Sequence, residues 1–149
     1  MTSPLPLAYV SIGSNYLPCK NIASGVSLIG EYFSQVKTSQ TYKSNDVLGL
    51  GADYWNLVIQ FHCPVPTKEL KEQLQDIELA CGRNKADQLR GQVHLDLDIL
   101  FIRKDNTLDG LNQIFAEQFE LSENEYVLIP LKELIPDLNA AWVSGSERV

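Results

Sequence analysis

The stretch Val93-His-Leu-Asp-Leu-Asp-Ile-Leu-Phe-Ile102 constrains the chain more than any other. Apolar and polar residues alternate along it, which is the period of a strand with one buried and one open face. Val93, Leu95, Leu97 and Ile99 fall on one side of such a strand, and His94, Asp96 and Asp98 on the other. A strand of this kind is stable only in a sheet whose apolar face is covered, so the rest of the chain must supply partner strands and a covering layer. Two carboxylates at i and i+2 stand about 7 Å apart at the backbone, given ~3.3 Å of rise per residue. Like charges that close are unfavourable without a counter-ion. The pair suits a hard divalent cation and, through it, phosphate. Mg²⁺ matches oxygen donors best, while His94 leaves Mn²⁺ or Zn²⁺ open. A solvated strand face is the plainer alternative for the same pattern.

The partner elements are legible upstream. Leu7 to Ile12 predicts a first strand, stopped by Gly13-Ser-Asn15. Ile22, Val26, Ile29 and Phe33 recur at helical spacing across residues 21–33, despite two interior glycines. Val36 to Lys43 predicts a second, more polar strand, and Tyr54 to Cys63 a third, after the loop 44–53. Pro64 and Pro66 break that strand, and Thr67 is a candidate N-cap. Leu70, Leu74, Ile77 and Cys81 then form the buried stripe of a helix ending near Gly82. A polar loop leads into the strand at Val93. Residues 104–125 carry no clear period. Tyr126 to Leu134 mixes strand and helix signals, with Pro130 placed to open a short helix and Pro136 to end it. The order β-α-β-β-α-β plus a C-terminal extension predicts a single α+β domain over residues 1–149, with helices packed on an antiparallel sheet in the ferredoxin-like arrangement.

A length of 149 residues is ordinary for one domain. The formal charge of −7 is unevenly placed. Ten acids and ten bases balance in residues 1–104, whereas residues 105–149 hold nine acids against Lys132 and Arg148. A net field of that sign opposes general binding to nucleic acid or to an anionic membrane. No apolar run approaches the ~20 residues needed to span a bilayer. Met1-Thr-Ser-Pro-Leu-Pro-Leu shows no basic region followed by a long apolar stretch, so a cytoplasmic location is expected. Cys19, Cys63 and Cys81 are dispersed and odd in number, which fits free thiols rather than a disulfide framework or a zinc knuckle.

Other groups carry weaker signals. Arg83, Lys85 and Arg90, bounded by Gly82 and Gly91, could clamp a polyphosphate or form a solvated loop. Tyr54 and Asn56 put a ring and an amide on one strand face, fit to hold a flat heterocycle or simply to pack in a sheet. Gly13-Ser-Asn15 reads as a turn, and no Gly-Lys-Ser/Thr follows to make it a Walker A loop. His62 reads as structural.

Taken together, Ala8-Tyr-Val-Ser-Ile-Gly-Ser-Asn15, Tyr54-Trp-Asn56, Gln75-Asp-Ile-Glu78, Gly82-Arg83, Gly91-x-x-x-Leu95-Asp-Leu-Asp98-Ile and the late Leu128-Ile-Pro-Leu131 with Ile135-Pro136 follow one another in a distinctive order. The chain resembles the 6-hydroxymethyl-7,8-dihydropterin pyrophosphokinase family of folate biosynthesis, from residue 8 to about 138. The resemblance implies transfer of the β,γ-diphosphate of ATP to the pterin hydroxymethyl group, with release of AMP. It implies that Asp96 and Asp98 hold two Mg²⁺ ions on the ATP phosphates, with Arg83 beside them in the catalytic set. Asn56 would hydrogen-bond the pterin ring, with Tyr54 and Tyr126 lining its slot. Gln75, Glu78, Arg83 and Lys85 would serve the nucleotide. The implied partners are small-molecule pterin and ATP on a monomer, without nucleic acid or membrane.

The chain also departs from the family. Gly91-Gln92-Val93 stands where the family has Gly-Pro-Arg, so valine replaces a phosphate-binding arginine. Arg90 aligns with a pterin-stacking tryptophan, Gln118-Phe119 with a His-Tyr pair, and Gln113 and Asn124 with basic residues. Arg90, His94 and Lys43 are the candidates to replace the missing cations. The departures keep two other readings in view: a divergent paralogue that binds a pterin or nucleotide with little or no transfer, and an enzyme in which His94, Asp96 and Asp98 bind another metal for hydrolytic or lyase chemistry.

Overall fold

The computed structural model of the protein describes residues 5–44, 52–105, 107, 110 and 125–135. In chain order the elements are β1 (Leu7–Ser14), α1 (Pro18–Tyr32), β2 (Ser34–Thr38), β3 (Tyr42–Ser44), β4 (Tyr54–His62), α2 (Thr67–Ala80), α3 (Lys85–Leu89), β5 (Asp96–Arg103) and α4 (Glu125–Leu134). Among the described residues the five strands form one antiparallel sheet in the order β2-β4-β1-β5, with β3 also paired to β4. This is the α+β arrangement expected from the pattern of elements, with β1 central and β5 at an edge. None of the described helices is long and apolar enough to cross a membrane.

β1 is central because both of its faces are apolar. Ala8, Val10 and Ile12 pack with Leu57, Ile59 and Phe61 of β4 and Leu97 of β5, beneath Ile22 and Ile29 of α1 and Leu70, Leu74 and Ile77 of α2. Leu7 and Tyr9 face the other way and join Val58 and Phe101 under Val127, Leu128 and Leu131 of α4 and Ile135 just beyond it. Two layers of helix therefore cover the two faces, each through its own stripe.

A bulge sets the faces of β5. Tyr9 pairs with Phe101 but Val10 pairs with Ile99, so Leu100 is the extra residue. The register then aligns Tyr9, Ser11 and Gly13 with Phe101, Asp98 and Asp96 on one sheet face. Without the bulge, Phe101 would be turned away from α4.

Several boundaries differ from expectation for identifiable reasons. The strand begins at Asp96 rather than Val93, because Asn15 takes the Val93 backbone out of the ladder: its Oδ1 accepts from Val93 N at 2.7 Å and its N–H donates to Val93 O at 3.1 Å. The expected second strand is two pieces, with Ser39 between them. Ser39 N–H donates to Val58 O at 2.9 Å, and Ser39 Oγ accepts from Val58 N–H at 3.0 Å, so a side chain replaces a backbone rung. α1 starts earlier, at Pro18, whose fixed φ suits the first helical position. Gly25 inside α1 has a packing reason: a Cβ there would lie 2.8 Å from Leu95 Cδ2.

The N-cap of α2 is Pro66 in extended conformation, and Thr67 is the first helical residue without a capping bond. Gly82, at φ 97°, closes the same helix in the left-handed conformation, with Arg83 N–H donating to Glu78 O at 3.1 Å. The expected polar loop contains α3, capped by Asn84 Oδ1 accepting from Asp87 N–H at 2.8 Å. Pro130 lies inside α4 instead of opening it. It is buried, as are Leu128 and Leu131 beside it, so tertiary packing offsets the hydrogen bond that proline removes.

Candidate functional site

The edge strand and the helix beside it create the site. α2 places Lys71, Leu74, Gln75 and Glu78 at i, i+3, i+4 and i+7, a single helical face. That face and Asp96, Leu97, Asp98 and Ile99 of β5 line a cleft of 420 Å³, with Arg83 also on its wall.

Glu78 is the anchor between helix and strand. Its Oε2 accepts from Leu97 N–H at 2.7 Å, satisfying an edge-strand donor, and from Arg83 Nη1 at 2.9 Å. Arg83 Nη1 also reaches Asp96 Oδ1 at 3.0 Å and Leu95 O at 3.3 Å, while its Nε donates to Gln88 Oε1 at 3.1 Å. Arg83 follows the left-handed Gly82 directly, so the turn that ends α2 delivers the guanidinium to β5.

The electrostatics follow from this geometry. Burial raises the Glu78 pKa, against the opposing pull of the Leu97 N–H and Arg83. Burial disfavours the Arg83 cation, but the Asp96 hydrogen bond and the charges of Glu78, Asp96 and Asp98 outweigh it and raise its pKa. Asp98 is pushed up to about 6 by burial and then by the neighbouring Asp96 and Glu78, with Arg83 offsetting only part. The Asp96–Asp98 pair thus carries more negative charge than Arg83 compensates.

The pair fits a hard cation. Its donors are carboxylate oxygens, and among the described residues no group of three or more His, Cys, Asp or Glu forms a closed ligand cage. Mg²⁺ takes one or two carboxylates and fills its remaining positions with water and phosphate oxygens, which suits such a half-open site.

Across the sheet, the register puts Asn56 and Asp96 opposite the two sides of Gly13. A Cβ on Gly13 would lie 3.5 Å from Asn56 Oδ1 and 3.6 Å from Tyr54 Cδ1, so glycine leaves the floor between amide and carboxylate open. Asn56 Nδ2 donates to Ser44 Oγ at 2.7 Å and to Tyr42 O at 3.5 Å, which turns Oδ1 toward that floor. Tyr54, Asn56, Asp96 and Asp98 therefore belong to one polar end of the sheet face. Gln75, Glu78 and Arg83 line the adjoining cleft.

Other candidates lie elsewhere. His94 does not join the carboxylates, because the strand starts after it. Its ring packs on Tyr16 at 4.6 Å between centroids, its Cδ2 lies beside Gly82, and its Nε2 is 3.7 Å from Asp87 Oδ2. Lys43 pairs in register with Trp55 and holds its Nζ 5.7 Å from that ring's centre, on the opposite sheet face from Asn56. Arg90 is ion-paired to Asp87. These positions remove His94 and Lys43 as replacement cations at the carboxylate pair. Lys85 is exposed at the start of α3 and does not line the cleft. Val93 is buried. The Tyr126 side chain and Gln113, Gln118, Phe119 and Asn124 lie outside the described residues.

Two positions around the site are not singled out one by one from the sequence. Asn15 is buried and joins three segments: Nδ2 donates to Gly91 O at 2.7 Å and Ala52 O at 3.3 Å, while Oδ1 holds Val93. Its place at the end of the Ala8–Asn15 motif is the only signal that it is more than a turn residue. Lys71 stands on the Gln75–Glu78 helix face, a spacing legible once that face was known to line a site.

The family comparison agrees with this geometry. Residues 9–136 match the family model described as 7,8-dihydro-6-hydroxymethylpterin-pyrophosphokinase, a span that includes β1 from Tyr9 onward, β4, α2 and β5 with every site residue named above. The chain therefore belongs to the 7,8-dihydro-6-hydroxymethylpterin-pyrophosphokinase family, the pyrophosphokinases of folate biosynthesis.

Proposed function

We propose that the protein transfers the β,γ-diphosphate of ATP to 6-hydroxymethyl-7,8-dihydropterin and releases AMP. The observation that carries this reading is the placement of Asn56 and the Asp96–Asp98 pair on two sides of the bare Gly13 floor, beside the α2 cleft. Asn56 Oδ1 would accept from a pterin N–H, and the Tyr54 ring would flank the heterocycle. Gln75, Glu78 and Arg83 would order the nucleotide side, and Lys85 would act from the rim.

Asp96 and Asp98 would hold the Mg²⁺ ions. When bound, Mg²⁺ neutralises phosphate charge and aligns the reacting groups. The hydroxymethyl oxygen forms a bond to the β-phosphorus, the bond from that phosphorus to the α,β-bridging oxygen breaks, and AMP leaves with the bridging oxygen. The hydroxyl proton passes to solvent. The protein's contribution is chiefly position and charge placement, because this reaction needs no covalent enzyme intermediate.

One observation favours a second reading, a divergent relative that binds without efficient transfer. The cleft arginine, Arg83, is already held by Glu78 and Asp96, and Val93 supplies no cation. Calorimetry with a non-hydrolysable ATP analogue, Mg²⁺ and the pterin, followed by an assay for AMP with ATP, separates the two. Binding with AMP formation supports transfer. Binding without AMP supports the second reading, and binding of neither ligand refutes both.

A further inference from the structure

Two cationic side chains line the 420 Å³ cleft, Arg83 and Lys71. They are in different states. Arg83 directs its Nε and Nη1 to Gln88, Glu78, Asp96 and Leu95 O. Lys71 is exposed, and among the described residues it has neither an ion pair nor a hydrogen bond. It lies seven residues before Glu78 on the same helix face, which places its backbone about 10 Å along α2 from the Glu78–Arg83–Asp96 network.

We propose that Lys71 is a nucleotide-binding residue whose ammonium contacts the phosphate chain of the nucleoside polyphosphate in this cleft, a role that rests on the transfer or binding readings above. The chemistry favours it. A polyphosphate at Asp96 and Asp98 needs positive charge beyond the carboxylate-bound cation, and the charge of Arg83 is already shared with Glu78 and Asp96, which it ties together across α2 and β5. An ammonium on a four-carbon stem is a mobile point charge with three donors, able to follow phosphate oxygens that a fixed guanidinium cannot. Leu74, between Lys71 and Glu78 on this face, is buried in the core, so the helix backbone that carries the lysine is fixed.

The test is calorimetry on the full chain with Mg²⁺ and either a non-hydrolysable ATP analogue or adenosine, for wild type, Lys71→Met and Lys71→Arg. Lys71 is exposed, and matching melting curves will verify that the variants fold. Loss of one charge-assisted contact should weaken the ATP analogue about tenfold in Lys71→Met, leave adenosine unchanged and be largely restored in Lys71→Arg. Where turnover is measurable, the KM for ATP should rise while the KM for the pterin stays constant. Equal affinity of wild type and Lys71→Met for the ATP analogue overturns the proposal while leaving the site reading intact. Equal weakening of adenosine and the analogue also overturns it, placing Lys71 at the base or ribose. No nucleotide binding by wild type overturns both the proposal and the reading it rests on.

Discussion

One sheet face has two ends of opposite character. At the end marked by Leu7, Tyr9, Val58 and Phe101 it is apolar and lies under α4. At the end marked by Gly13, Asn56, Asp96 and Asp98 it is polar, floored by a glycine and joined to the α2 cleft. The same strands β1, β4 and β5 make both ends, and the bulge at Leu100 keeps Phe101 in phase with the aspartates on one face. The contrast separates tasks: one end stabilises the sheet, and the other holds like charges and an open floor that cost stability.

The largest effect expected from breaking this division is catalytic. Asp96→Asn or Asp98→Asn should each lower AMP formation about 100- to 1000-fold, the scale of removing a group that holds transition-state charge. The melting temperature of Asp98→Asn should not fall, because the substitution relieves the like-charge repulsion with Asp96 and Glu78. At the other end, Leu131→Ala removes a fully buried α4 side chain. It should cost about 2–5 kcal/mol in urea unfolding, while the folded protein keeps its nucleotide affinity. Parallel loss of affinity in that variant would show that the two ends are not separable.

Arg83→Met should have a smaller effect on stability, about 1–2 kcal/mol, because the ion pairs it removes are only partly buried. In the background of Glu78→Gln that loss should shrink, as a double-mutant cycle will show if the two side chains act as one unit.

The smallest effect is a pH slope, because Asp98 is exposed and solvent screens it from its neighbours. With Asp98 raised to about 6 from 3.8, the folded chain binds more protons than the unfolded chain between those values. Stability therefore falls as pH rises through that window, the opposite of an ordinary salt-bridged carboxylate. Thermal melts from pH 4 to 7 should show this slope flattened in Asp98→Asn and opposed by Mg²⁺, which favours the ionised pair.

Much of this was legible in the residues. The alternation around Asp96 and Asp98 located the edge strand, the Leu70–Leu74–Ile77 stripe located α2, and the motif order pointed to the family. What escaped depended on contacts between distant segments. The single Asn15 amide reaches Gly91, Ala52 and Val93, and so removes Val93 and His94 from the strand that their alternation predicts. The Leu100 bulge leaves the apolar alternation nearly unchanged yet reverses the face of every residue after it. Pro130 reads as a helix start because local propensity ignores the burial that holds it inside α4. His94 and Lys43 looked available only because a sequence does not show that Tyr16 and Trp55 already occupy them.

The central claim is that the polar end of the sheet performs diphosphate transfer. It is tested most directly by incubating the wild-type protein with ATP, Mg²⁺ and 6-hydroxymethyl-7,8-dihydropterin and quantifying both products. The account predicts AMP and the pterin diphosphate in equal amounts, with both lost together in Asp98→Asn. A folded wild-type protein that yields neither product, or an Asp98→Asn variant that matches it, would contradict the claim.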